Sequence, residues 1–141
     1  MTRPTNTQFA VAVHVLSYLA GPGQERVISS DELAQSTNVN PVHIRRVLGP
    51  LRAAGLVRSR PGVNGGWELV RAAESIHLSE VWRLLQGDDP VLGLHGPSPR
   101  CPVGIGIASS LVDLDRGVAA AIEAELDRTT VADLTVTTNA V

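Results

Sequence analysis

Five arginines, Arg45, Arg46, Arg52, Arg58 and Arg60, fall in a stretch from Leu33 to Trp67 that contains no Asp or Glu. A guanidinium is always charged and offers a planar fork of donors, suited to phosphate oxygens and to the acceptor edge of guanine. Such groups clustered without neighbouring acids predict a local polyanion site. The last two precede the turn of "RSRPGVNGGW", Arg58 to Trp67. That turn has no bulk for a core. Gly65 and Gly66 let the backbone either take positive φ or lie close to something else. A slim, cationic hairpin tip is what a finger touching a polyanion requires.

The rest of the chain has the opposite balance. From Ala72 onward ten acids face four arginines, and the whole carries a net charge of −2 with all twelve basic residues Arg. No Ser/His/Asp set, paired carboxylates or phosphate loop stands at a usable spacing, so no enzyme is expected. His14, His77 and His95 show no metal-ligand spacing. The single cysteine excludes an internal disulfide framework and any metal site built from several cysteines of one chain. No cofactor is expected. No apolar run approaches the ~18 residues of a membrane span, and the amino terminus lacks a basic-then-apolar leader, which makes the cytoplasm the expected location.

With 141 residues and 3% aromatics, one core built on Leu, Val, Ile and Ala is expected. "QFAVAVHVLSYLA", from Gln8, predicts a largely apolar helix ended by Gly21-Pro22-Gly23. Ser29 followed three residues later by Glu32 matches a capping box, opening a short helix from about Ser30 to Ser36. Asn40 as N-cap and Pro41 at the first position open another, which carries Val42, Ile44, Val47, Leu48 and Leu51 and stops at Gly55. Pro50 inside it predicts a bend. "GLVRSR" and "WELV" read as two short strands around the glycine turn. The predicted fold is mainly α: a winged helix-turn-helix with a two-stranded wing, followed by a long C-terminal dimerisation helix.

In that fold the second helix enters the DNA major groove and the hairpin tip lies along the backbone or minor groove. Arg45 and Arg46 sit in its first half, where side chains reach base edges or phosphates. Arg58 and Arg60 lead into the wing, with Asn64, Gly65 and Gly66 at its tip. Arg52 comes late, where a contact and an ion pair are equal alternatives, and His43 is either a contact or a half-exposed spacer. Ser29 and Asn40 can donate to phosphates, although capping also explains them. Trp67 and Trp82 sit where a core needs bulk.

"HLSEVWRLLQG" predicts a further helix, and "DDPVLGLHGPSPRCP" a loop over residues 88–102. A long helix is expected from Ile107 to Leu126, with Leu111, Leu114, Val118, Ile122 and Leu126 on one stripe. So lone a stripe needs a mate, and a second copy of the chain fits best: a homodimer on an inverted-repeat operator in double-stranded DNA. Thr130 with Asp133 caps a last short helix, and the tail "TVTTNAV" is expected to fray. The units are residues 1–87 for DNA binding, the loop 88–102, and 103–141 for dimerisation. Cys101, in the loop beside Arg100 and before a helix start, is either a sensor thiol or a small packing residue.

With "PLRAAGLVRSRPGVNGGWELVR", the alanine-rich first helix and "CPVG" before the long helix, the chain resembles the Rrf-two family of bacterial winged-helix regulators. The resemblance covers nearly the whole chain, and its wing segment is the specific part. It implies a homodimeric transcription regulator, chiefly a repressor, whose long helices cross onto the partner subunit, with Arg60 as the minor-groove arginine. Cluster-bearing members carry three cysteines in the loop before the long helix; here only Cys101 stands there, as in a cluster-free subgroup. An oxidant acting at Cys101 or a small metabolite is then the effector. Readings of the fold as a small-molecule module or a protein-interaction adaptor remain open. An adaptor would have no need of the basic surface.

Overall fold

In a computed structural model, residues 5–21 and 25–139 are described, with side chains over 7–21 and 25–135. The elements are α1 (Thr5–Ala20), α2 (Ser30–Thr37), α3 (Pro41–Ala53), β1 (Val57–Arg60), β2 (Gly66–Leu69), a 3-10 turn (Ala73–Ser75), α4 (Leu78–Gln86), α5 (Pro102–Leu126) and α6 (Val131–Asn139). The expected helix-turn-helix and wing are present. Pro22 and Gly23, expected to end the first helix, lie outside the described residues.

Local chemistry sets the helix-turn-helix. Ser29 Oγ accepts from the Glu32 amide at 3.1 Å and caps α2. Only half of the expected capping box forms, because the Glu32 carboxylate turns instead to Tyr18 Oη and, in bidentate fashion, to Arg26. Asn38 closes α2 in the left-handed conformation, φ 55, which asparagine tolerates better than most residues. Two residues on, Asn40 Oδ1 accepts from the Val42 amide at 2.8 Å, and Pro41 takes the first helical position. The helix continues through Pro50. It ends at Gly55, φ 77, where the Leu56 and Gly55 amides return to Leu51 and Arg52 carbonyls.

The core lies under this unit. Leu16 and Leu19 of α1, Leu33 of α2, Ile44, Leu48 and Leu51 of α3, and Leu56 and Ile76 are all fully buried. Each such side chain contributes about 1.5–3 kcal/mol of burial. Phe9 of α1 meets Trp82 of α4 edge to face, with centroids 5.5 Å apart. Trp82 is thus a core residue, as expected.

The carboxyl-terminal part departs from expectation twice. α5 starts at Pro102, five residues before Ile107, because Cys101 serves as N-cap and Pro102 occupies the first turn. The tail does not fray from Thr135, since α6 runs to Asn139. Thr130 and Asp133 cap it reciprocally, at 2.9 and 3.3 Å. Val131 is fully buried in the core, and its amide bonds to Ile76 O at 2.9 Å. Residues 140 and 141 lie outside the described residues. No helix among the described residues is long and apolar enough to cross a membrane.

Candidate nucleic-acid interface

α3 has two faces. Ile44, Val47, Leu48 and Leu51 face the core, while Val42, Arg45, Arg46, Gly49 and Arg52 are exposed at steps of three and four. Among the described residues none of these three arginines has a carboxylate partner, so Arg52 is not in the ion pair that was its alternative. Arg45, Gly49, Arg52 and Ala53, with Trp67 of β2, line an open cleft of about 460 Å³ between helix and wing. Trp67 is half-buried rather than a full core residue, and its Nε1 donates to Ser30 Oγ at 3.0 Å.

His43 goes the other way. It is only 8% exposed and turns in with Ile44, so the expected contact or half-exposed spacer does not match its place. Its position, one residue from Ile44 on a 100° wheel, puts it at the edge of the apolar face. Ser29 and Asn40 are exposed, with their oxygens committed to capping. The Ser29 hydroxyl hydrogen and the Asn40 amide N–H groups remain available as donors.

The wing is antiparallel, with Arg58 opposite Glu68, Ser59 opposite Trp67 and Arg60 opposite Gly66. Ile28 adds a bridge to the other side of Trp67, with bonds of 2.9 and 2.7 Å. This third segment explains Gly66, and the turn itself explains Gly65. Neither Gly65 nor Gly66 has positive φ; the residue that does in this turn is Gly62, at 112. A Cβ on Gly66 would stand 2.6 Å from Ile28 O, and one on Gly65 would stand 2.1 Å from Arg60 O. Close approach is what the pair supplies. Asn64 is exposed at the tip.

Glu68, one residue past the acid-free stretch, was missed as a site residue. Its Oε1 accepts from Arg58 Nε at 2.5 Å and from Arg60 Nε at 2.7 Å. Those bonds, Arg58 first and then Arg60, hold its carboxyl below the usual carboxylate range. The signal was available in the hairpin register, which sets an acid directly across from Arg58.

Cys101 is exposed in the single chain. Its Sγ accepts from the Gly104 amide at 3.3 Å. The α5 stripe divides: Leu114 is 59% exposed, Leu111, Val118 and Ile122 are half-buried, and Leu126 packs on the chain's own core. Val103, Ile105, Ile107 and Val112 add exposed apolar surface to the amino-terminal half of α5.

The sequence profile of the Rrf2 family, described as an iron-dependent transcriptional regulator, matches residues 5–137. YwnA of Bacillus subtilis, provisionally named an HTH-type transcriptional regulator, is 37% identical over 122 residues, covering 86% of this chain and 89% of its own. A crystal structure of a provisionally assigned transcriptional regulator from Lactobacillus plantarum superposes with a TM-score of 0.78 at 30% identity, over 94% of this chain and 89% of that one. The oxidized form of Staphylococcus aureus CymR superposes with a TM-score of 0.65 at 26% identity, over 94% and 96%.

The iron in that family description does not fit the side chains present. The chain has one thiol, already bonded to an amide, and no group of three His, Cys, Asp or Glu among the described residues is placed to hold a metal.

Proposed function

The chain belongs to the Rrf2 family of DNA-binding transcriptional regulators, and from that premise we propose that it acts as a homodimeric repressor of an inverted-repeat operator. The observation that carries the reading is the outward face of α3, where Arg45, Arg46 and Arg52 stand exposed without a carboxylate partner. Arg45 and Arg46 read base edges or phosphates, Arg52 takes a phosphate, and Ser29 and Asn40 donate to the backbone. The wing, through Arg58, Arg60 and the tip at Asn64, Gly65 and Gly66, lies in the adjacent minor groove. His43, turned inward, is left out of this set.

Two copies pair through the middle of α5, with Leu114 at its centre and Leu111, Val118 and Ile122 alongside. That sets the two α3 helices about one helical turn of DNA apart. Nuclease protection of promoter fragments by the purified protein tests the reading. Protected inverted repeats, lost steeply with added salt, are expected; a protein that protects nothing, or whose binding ignores salt, is an adaptor instead.

Release comes from modification of Cys101. The thiol is exposed and caps α5, the helix that spaces the half-sites, so an oxidised or alkylated sulfur gives up the Gly104 amide at that helix start. Likeness to a protein solved in an oxidized form, CymR, supports a redox signal. Wild type and Cys101→Ser are titrated with hypochlorite while duplex binding is followed. Loss of DNA by the wild type alone, reversed by reductant, is expected. Equal loss or equal retention means that Cys101 is not the sensor.

A further inference from the structure

Arginine is treated differently on the two halves of this interface. The α3 arginines have no acid near them, whereas both wing arginines share one oxygen of Glu68. The register puts all three side chains within reach of one another. Arg58 lies straight across from Glu68, and Arg60, two residues on, points to the same face of the ribbon. Both bonds use Nε, and no protein partner is found for the Nη groups among the described residues. The arginine side chains are 58% and 60% exposed, while that of Glu68 is 21% exposed beneath them. The wing therefore presents two outward donor edges carried on a cluster whose charge is cut from two to one.

Resting on the DNA-binding reading above, we propose that Glu68 is a positioning and specificity-determining residue. It orients the Nη edges of Arg58 and Arg60 toward the DNA backbone while weakening the wing's attraction to duplex DNA of any sequence. A phosphate approaching either guanidinium also approaches the Glu68 carboxylate, so wing contacts contribute little until α3 has seated on its bases. Discrimination then comes from the helix, and the wing adds affinity only at a matched site. Without Glu68 the wing would be a free cationic ribbon, and such charge raises binding to every sequence alike.

The test uses the full chain with Glu68→Gln, which keeps shape and strand pairing, and Glu68→Asp, which keeps the charge. Each is titrated across salt with two duplexes about three helical turns long. One is the tightest binder selected by the wild type from a random pool; the other is its scrambled sequence. Glu68→Gln is expected to bind the scrambled duplex about five-fold tighter at low salt, with a salt slope steeper by about 0.9, while the selected duplex gains less. The ratio between the two duplexes falls, and Glu68→Asp restores it.

Unchanged affinity and slope for Glu68→Gln would overturn the proposal. So would an equal loss on both duplexes with a shallower slope, which would make Glu68 a mere prop of the hairpin. Should Glu68→Gln melt at a markedly lower temperature, Arg58→Gln decides. With the wing held back from unmatched DNA, Arg58→Gln should weaken binding to the selected duplex several-fold and leave scrambled-duplex affinity and slope nearly unchanged, and an equal loss on both duplexes overturns the proposal. A wild type that selects no duplex at all instead removes the DNA-binding reading on which the inference rests.

Discussion

Gly66 stands so close to Ile28 that a Cβ on it would lie 2.6 Å from the Ile28 carbonyl oxygen and 2.7 Å from its carbonyl carbon. Both are backbone atoms held in a bridge to Trp67, so neither can swing aside as a side-chain tip would. The start of α2, Ser29 onward, is thereby clamped to the wing. Gly66→Ala should break the clamp and cost about 2 kcal/mol in urea unfolding. Gly49 gives the contrast. Nothing but its chain neighbours lies within 4 Å of a Cβ there, yet Pro50 follows and crowds a Cβ on the residue before it in α3, so Gly49→Ala should change stability by less than about 0.5 kcal/mol.

The two kinds of arginine should separate in salt titrations. Arg45 has no carboxylate partner, and Arg45→Ala should weaken binding to the selected duplex by about ten-fold and lower the salt slope by about 0.9. Arg60→Ala removes a charge already shared with Glu68 and should lose less affinity, about three-fold, with the melting temperature essentially unchanged. Fluorescence anisotropy with the two variants side by side checks the order.

Acid should loosen the entrance to α2. Hydrogen bonds from Arg26 and then Tyr18 hold the Glu32 carboxyl at about 2, down from 4.5. A folded value below the unfolded one means that the stabilisation is complete above about pH 4.5 and is lost as pH falls toward 2. Glu32→Gln should melt below the wild type at neutral pH, and the gap should close progressively below pH 4.5. Thermal melts by circular dichroism across that window measure it. A gap constant with pH would mean that the lost contribution is shape and not charge.

The apolar half of α5 should decide the oligomeric state. Ile107 is 45% and Leu114 59% exposed, on a helix that has no fully buried residue. A dimer mass is expected by light scattering at micromolar concentration, and Leu114→Asp should give the monomer with its helical signal kept. Duplex affinity should fall by about a hundred-fold, because one half-site then binds without the other. A wild type that is already monomeric removes the pairing.

Much of this protein was readable along the chain because the information is local. Asn40-Pro41 opens α3 through contacts made within one turn, the N-cap oxygen meeting the Val42 amide where proline's missing N–H costs nothing. Thr130 and Asp133 cap α6 for the same reason. The outward arginine row of α3 follows from a 3.6-residue period applied to one acid-free stretch. What the sequence alone did not determine depends on groups far apart in it. The glycine pair could have served positive φ or close approach, and only the folded hairpin selected the second: Gly66 meets Ile28, about forty residues upstream, and Gly65 meets the Arg60 carbonyl across the turn. The tail "TVTTNAV" read as frayed, yet α6 runs on to Asn139 from a start where Val131 bonds to Ile76 and is buried with it. His43 turned in against expectation, and Cys101 took the exposed one of its two alternatives, because burial is set by which elements pack and not by residue type. Glu68 carries the same lesson in charge. As one acid following a basic run it looked like the end of the site, and strand pairing placed it between the two arginines of the wing.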